Sequence, residues 1–285
     1  MPGVRRVVLL TLGWEDLPKS VSVYGASADV VMREPVPSVL LDTDAGWLML
    51  DTGFNTALIR DPWLHARYHD VPGYTAILPG PGEPIEEALD KAGIPFDGIT
   101  AVALSHFHVD HAGGLKLFAG RVPVHAQARE HTFGLSGDPA VEAHAIHRVD
   151  FDDPRIDWRL ADGDAEIATG VTAISTPGHT PGHQSFVVEI DGSVGGGGFV
   201  FAFDAADLTE NIEDELAIGG YIGVTPEETI EPIRRLKSIA AARGFPLVPG
   251  HDPVVWPTLT DDLAARFAHH VVDHTIVDDT RAVAP

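Results

Sequence analysis

The 285-residue chain contains no cysteine. Disulfides and thiolate ligands are thereby excluded, and any metal it holds must be bound through nitrogen or oxygen. Positive charge is scarce. Nineteen Lys and Arg stand against forty-two Asp and Glu, for a formal charge of −23, and only Lys19, Lys91, Lys116 and Lys237 are lysines. A surface of that sign cannot neutralise a phosphate backbone, so a nucleic-acid partner is not expected. No apolar run is long enough to span a bilayer. Val7–Leu10 behind Arg5 and Arg6 is too short for a signal peptide and lacks a small-residue cleavage site, so the expectation is a cytoplasmic protein with no membrane partner. There is no Gly-x-Ser-x-Gly elbow to present a serine nucleophile. The glycine run 192–198 has no lysine and opens no helix, and reads as a loop rather than a phosphate cradle.

What the chain does have is histidine, fifteen in all. Three of them fall in His106-Phe107-His108-Val109-Asp110-His111, directly after the apolar run Ile99–Leu104, which reads as a buried strand. Side chains alternate along extended backbone, so His106 and His108 share a face, while Asp110 and His111 belong to the turn that follows. Gly113-Gly114 then lets the chain turn into a short helix near Leu115. Four metal-competent side chains at this density would be costly to bury without a cation. Zinc is the first expectation, with iron, manganese or cobalt as alternatives.

The same event, a strand ending in a turn that presents His or Asp, recurs along the chain. Strands are expected over 6–12, 36–41 and 47–50, the last delivering Asp51 in Asp51-Thr52-Gly53, where it can hold the histidine loop by hydrogen bonds. Val171–Ser175 runs into the Pro/Gly-shaped turn that carries His179, Phe199–Phe203 ends in Asp204, and Pro246–Pro249 delivers His251. Residues 55–84, rich in Pro, Gly and aromatics, read as a long functional loop. Residues 150–164 read as a solvated acidic loop, and His125, His131, His144 and His147 as packing or surface residues. Helices are expected over 84–92, stopped by Gly93; from Thr225 to about Ala242, with Pro232 dividing or kinking it; and from about Asp261, with Leu263, Phe267 and Val271 on one face before a frayed tail. Alternating strands and helices over 285 residues imply one α/β domain spanning 1–285, with the site along one edge of its sheets.

His106-x-His108-x-Asp110-His111, His179 in Thr-Pro-Gly-His, Asp204, and His251 in Pro-Gly-His resemble, in order and approximate spacing, the metallo-β-lactamase superfamily. The resemblance runs from Asp51 to His251. It implies an αββα four-layer sandwich with two metals in a shallow groove: His106, His108 and His179 on the first, Asp110, His111 and His251 on the second, Asp204 bridging, and Asp51 in support. Thr176–Ser185 followed by Asp204-Ala205 further resembles the N-acyl homoserine lactone lactonases, which implies ring opening by a metal-bridging hydroxide, with Asp110 as ligand and proton carrier. Those lactonases place a tyrosine three residues after the bridging aspartate. Here Asp207 stands there, and a carboxyl donates a hydrogen bond only when protonated. Tyr221 is the expected compensating side chain and Phe107 a further substrate contact. Phosphotriester, phosphodiester or thioester hydrolysis remain open alternatives, as does a non-hydrolytic di-iron or metal-binding protein. A homodimer is expected to form, if at all, through the N-terminal or 55–84 segments.

Overall fold

The protein was analysed as a computed structural model that describes residues 3–263 and 272–276. Its strands are β1 (Arg6–Pro18), β2 (Val31–Thr43), β3 (Gly46–Leu50), β4 (Thr75–Ile77), β5 (Ile99–Ala103), β6 (Pro123–Gln127), β7 (Asp157–Ala161), β8 (Ala165–Ala168), β9 (Val171–Ser175), β10 (Gln184–Glu189), β11 (Gly198–Phe201), β12 (Leu247–Val248) and β13 (Val272–Ile276). They form two sheets, ordered β13-β1-β2-β3-β5-β6-β7, with β4 also on β1, and β12-β11-β10-β9-β8.

Alternation along the strands sorts most buried side chains into three large cores, beside a small fourth of Val36, Phe54 and Val109. On β1, Val8, Leu10 and Leu12 point outward, where they meet Ile85, Ala88 and Leu89 of the helix Pro84–Ala92. Val7 and Leu9 point the other way, with Val39, Leu41 and Leu50, onto Phe186, Val188, Phe199 and Phe201 of the second sheet. The outer face of that sheet, Ile174, Val187 and Val200, is covered by Ile233, Leu236 and Ala240 of the helix Ile230–Arg243. Helix, sheet, sheet and helix make the expected four layers, each interface removing apolar area from water at roughly 25 cal/mol per Å².

Several local expectations are corrected. Residues 55–84 contain the helices Thr56–Arg60 and Pro62–Tyr68 as well as β4; Asp61 caps the second, its carboxylate accepting from the N–H groups of Trp63 and Leu64 at 2.9 and 3.0 Å. The acidic stretch 150–164 holds β7 at a sheet edge, where mostly solvated side chains conceal the strand pattern. The short helix expected near Leu115 is the 3-10 turn Leu115–Leu117, and a further helical turn, Val109–Ala112, lies within the histidine cluster itself and carries Asp110 and His111. The helical stretch expected from Thr225 is divided: Thr225 caps the 3-10 turn Pro226–Thr229, and the α-helix Ile230–Arg243 follows with Pro232 as its third residue, where no N–H bond within the α-helix is lost. The last helix begins at Val255, initiated by Asp252, which accepts from the N–H of Val254 and Val255 at 2.9 Å each. Phe267 and Val271 lie outside the described residues. Val272–Ile276, expected to fray, pairs in parallel with β1. No helix of the described residues is long and apolar enough to cross a membrane.

Beneath the site lies a buried acid with a measurable signature. Asp150 accepts from Asn55 Nδ2 at 2.6 Å, its Oδ2 has no hydrogen-bond partner, and burial pushes its carboxyl up to about 7 despite Asn55 and Lys116. Between the unfolded value of 3.8 and about 7 the folded state binds the extra proton, so this group's contribution to stability falls as pH rises through that window, by up to about 4 kcal/mol. Asp150→Asn keeps the acceptor and removes the charge. In urea unfolding at fixed metal loading, the variant should gain on the wild type at pH 8 and not at pH 4; an equal difference at both would contradict this.

Candidate metal centre

The histidines and aspartates converge because they sit on turns at the ends of strands. Asp51 follows β3, His106 to His111 follow β5, His179 follows β9, Asp204 follows β11 and His251 follows β12. Two of these turns are bent beyond the ordinary range, Asp51 having φ 57° and Phe203 φ 47°. Strain of this kind in non-glycine residues persists where packing over-determines the backbone.

Asp204 is the centre of the arrangement. Its Oδ2 lies 3.2 Å from His179 Nε2 and 3.6 Å from His106 Nε2, while its Oδ1 lies 3.2 Å from His111 Nε2 and 3.1 Å from His251 Nε2. His108 Nδ1 completes the first set, 3.0 Å from His106 Nε2 and 2.7 Å from His179 Nε2. Asp110 Oδ2 completes the second, 2.8 Å from His111 Nε2 and 3.8 Å from His251 Nε2. Each oxygen of one carboxylate thus faces a different cluster of donors, and each cluster is compact enough to hold one ion.

In four of the five rings, all but that of His108, the far nitrogen has a partner that fixes the near one. His111 Nδ1 donates to Asp51 Oδ2 at 2.7 Å, His179 Nδ1 to the Gly220 carbonyl at 2.5 Å and His251 Nδ1 to the Pro35 carbonyl at 2.9 Å. His106 Nδ1 lies 2.9 Å from Ser105 Oγ. These bonds leave the Nε2 atoms aimed inward. Asp51 is itself anchored by the Ser105 N–H and hydroxyl, both at 2.6 Å.

Electrostatics divides the two sets. Burial pushes His106 and His108 well below the usual imidazole range, reinforced by His111 and His179 respectively, so their lone pairs stay free. Burial opposes charge on His111 and His251 too, yet Asp110, Asp204 and Asp51 hold His111 well above its usual value, and Asp204 does the same for His251. Burial would raise Asp204, but His111, His251, His106 and His179 keep its carboxyl well below the usual range. Three neutral nitrogens crowded within 3.0 Å of a neighbour, beside a carboxylate and with no second hydrogen-bond network to serve, have the donor chemistry of a divalent cation site. The residues fit the implied metals.

Two expected substrate contacts are corrected. Phe107 is buried in the outer core, its ring 4.5 Å from that of Phe151 and 5.4 Å from that of Trp158. The Tyr221 ring lies 6.1 Å from that of Tyr24, tilted by 59°, and is not among the residues lining the adjoining cavity. Asp207 does line that cavity, and burial, with Asp204 and Glu34 nearby, raises its carboxyl well above the usual range. The cavity, about 290 Å³, joins the cluster to an apolar mouth made by Leu17, Val21, Val71 and Pro72.

Sequence reading missed Glu130. Its buried carboxylate accepts from the Phe107 N–H at 3.0 Å, the Thr180 hydroxyl at 2.8 Å and the Gly182 N–H at 2.9 Å, tying the His106–His108 turn to the His179 turn. Gly182 is required there, since a Cβ would come within 2.1 Å of the Glu130 nitrogen. An isolated acid in a helix's first turn carries no sequence signal of such a role. Glu130→Gln turns an amide N–H₂ toward either the Phe107 N–H or the Thr180 and Gly182 donors and should cost about 1–3 kcal/mol. Thermal unfolding measures it, and a variant as stable as the wild type would refute the staple.

Comparison with known proteins agrees with this geometry. Residues 31–251 match the profile of the Metallo-beta-lactamase superfamily. The chain is 31% identical over 224 residues to the N-acyl homoserine lactonase AiiA of Bacillus thuringiensis subsp. kurstaki, covering 78% of this chain and 83% of that one. It is 29% identical over 229 residues to the N-acyl homoserine lactonase AttM of Agrobacterium fabrum, covering 78% and 83%. A solved N-acyl homoserine lactone hydrolase, with the product N-hexanoyl-L-homoserine at its catalytic metal center, superposes with a TM-score of 0.78 at 26% identity, covering 90% of this chain and 97% of that one.

Proposed function

The chain belongs to the metallo-β-lactamase superfamily, and from that premise we propose that it is a dinuclear hydrolase that opens a lactone ring, of the N-acyl homoserine lactone class or a related one. The observation that carries the reading is Asp204, whose two oxygens face two separate donor sets. We assign His106, His108 and His179 to one ion, Asp110, His111 and His251 to the other, and Asp204 to both, with zinc as the metal.

Two divalent ions held there supply Lewis acidity toward an ester carbonyl and bring the ionisation of water to near pH 7. The chain's own residues do the rest. The Asp51, Gly220 and Pro35 contacts hold three imidazoles in the ligating orientation before substrate arrives. Asp110, on the cavity wall, can take a proton and return it to the alkoxide that leaves as the ring opens. The apolar side chains Leu17, Val21, Val71 and Pro72 offer a surface on which an apolar substituent of the lactone can pack. Among the described residues no lysine or arginine lines the cavity, which disfavours an anionic phosphodiester or a glutathione thioester.

The test is a panel offered to zinc-loaded protein: homoserine lactones with and without acyl chains, a phosphotriester and a thioester. Ring opening of the lactones well above the other two is expected. Turnover confined to the phosphotriester or the thioester would overturn the assignment.

A further inference from the structure

One stretch of the cavity wall carries polar side chains that the ligand set does not use. His69, Val71, Pro72 and Tyr74 line it beside Val109 and Asp110. His69 is 3% exposed, and neither of its ring nitrogens has a hydrogen-bond partner among the described residues. The buried Tyr74 hydroxyl has none either, although Glu15 stands near it. Each polar group left unanswered in this way costs about 1–3 kcal/mol, and Val71, Pro72 and Val109 bring no side-chain partner. The wall is nonetheless well ordered. His69 ends the helix Pro62–Tyr68, its N–H donating to the His65 carbonyl at 2.8 Å, and the turns His69–Val71 and Val71–Tyr74 close at 2.9 and 3.1 Å before β4 begins. The His69 ring meets those of Phe54 and His147 edge to face, with centroids 6.4 and 6.3 Å away, and lies nearly parallel to the Tyr74 ring, at 16°. Packing therefore fixes two polar side chains in the wall for which the chain supplies no partner.

We propose that His69 and Tyr74 recognise the secondary amide of an N-acyl lactone, and so select substrates with an acylamino group beside the scissile ester over alkyl lactones of the same size. The proposal rests on the lactone-opening reading and deepens it. A trans amide points its N–H and its C=O to opposite sides, so two separate groups must answer them. Burial, with His147 and His65 nearby, pushes the His69 imidazole down to about 4, so at neutral pH it is uncharged and offers one N–H and one lone pair. Burial likewise keeps the proton on the Tyr74 hydroxyl, which can donate or accept. Neither side chain brings a charge, which suits a neutral amide better than a carboxylate or an ammonium group. Placement agrees with this. The amide nitrogen sits on the carbon next to the ester carbonyl, so its partners must stand near the reacting edge, and the charge of Asp110 reaches both His69 and Tyr74. The rest of the acyl chain then meets Leu17, Val21, Val71 and Pro72 at the mouth.

The experiment compares N-hexanoyl-L-homoserine lactone with α-heptyl-γ-butyrolactone, which matches it in chain length but has methylenes in place of the amide, on zinc-loaded protein. The expected kcat/KM is at least about tenfold higher for the amide. His69→Phe and Tyr74→Phe keep a ring and remove the polar atoms, and each should lower that ratio about fivefold or more. A preference that both variants retain, or an equal fall for the two lactones, makes the side chains structural and overturns the subsite. Calorimetry with the ring-opened N-hexanoyl-L-homoserine and 2-(2-hydroxyethyl)nonanoate gives a reading independent of turnover. The amide compound should bind more tightly, and His69→Phe should abolish its advantage. Equal turnover and equal binding of the two would mean that water alone serves His69 and Tyr74, which overturns the subsite and leaves the lactonase standing. If neither lactone is opened, the lactone reading fails on its own; a binding advantage lost in His69→Phe still supports the subsite, and its absence overturns it.

Discussion

Asp204→Asn should reduce ring opening by on the order of a thousandfold or more and lower the metal content of the purified protein below two ions per chain. The size of the effect follows from geometry. Oδ2 serves the set of His106 and His179, and Oδ1 that of His111 and His251. An asparagine keeps one oxygen and turns a donor toward the other set, so one side loses its anion and meets N–H groups where lone pairs are needed. Burial makes the mismatch costly, because Asp204 is only 5% exposed and its ring partners are held in place by their own hydrogen bonds. Elemental analysis, initial rates and thermal unfolding measured on the same preparation separate this from loss of fold, a control that is needed because Phe203 and Ala205 on either side of Asp204 pack in the cores. Full metal content with wild-type rates would contradict the bridging role.

Asp110→Asn should have the second-largest effect, a loss of about 10²–10⁴ in kcat with a smaller loss of metal. Asp110 faces only one donor set, 2.8 Å from His111 Nε2, so the other set of His106, His108, His179 and Asp204 keeps its composition. What disappears is an anion on the cavity wall and the carrier of the proton to the leaving alkoxide. Burial opposes ionisation of Asp110, but His111 and His251 hold its carboxyl below the usual range. The wild type therefore has the carboxylate in place at neutral pH. A lactone with a better leaving alkoxide needs that proton less, so the variant's deficit should shrink along a series of increasingly acidic leaving alcohols. A deficit constant across the series would remove proton transfer from its role and leave ligation alone.

The metal cluster was legible in the sequence because strand ends advertise it. His106 to His111 follow five apolar residues, and His179, Asp204 and His251 each follow a strand with a Pro/Gly turn or a chain reversal. The alternation that places His106 and His108 on one face also directs Phe107 to the other, into Phe151 and Trp158, so its expected substrate role conflicted with the same rule. Other features needed pairing that no local pattern reveals. Glu15 and Glu34 meet only because β1 and β2 pair with a shift between Thr11 and Gly13. Glu130 matters through bonds to residues 107, 180 and 182, far apart in sequence. The helices within 55–84 were masked by their Pro and Gly content, although Asp61-Pro62 is a cap followed by a first-turn proline. Edge strand β7 was hidden by its own solvation.

The central claim is that two ions, shared by Asp204, are both required to open the ring. Titrating zinc into metal-free protein while following ring opening of a homoserine lactone by proton release tests it most directly. The account predicts little activity through the first equivalent, a steep rise through the second and a plateau beyond it. Full activity at one equivalent, or none with two ions bound, would contradict it.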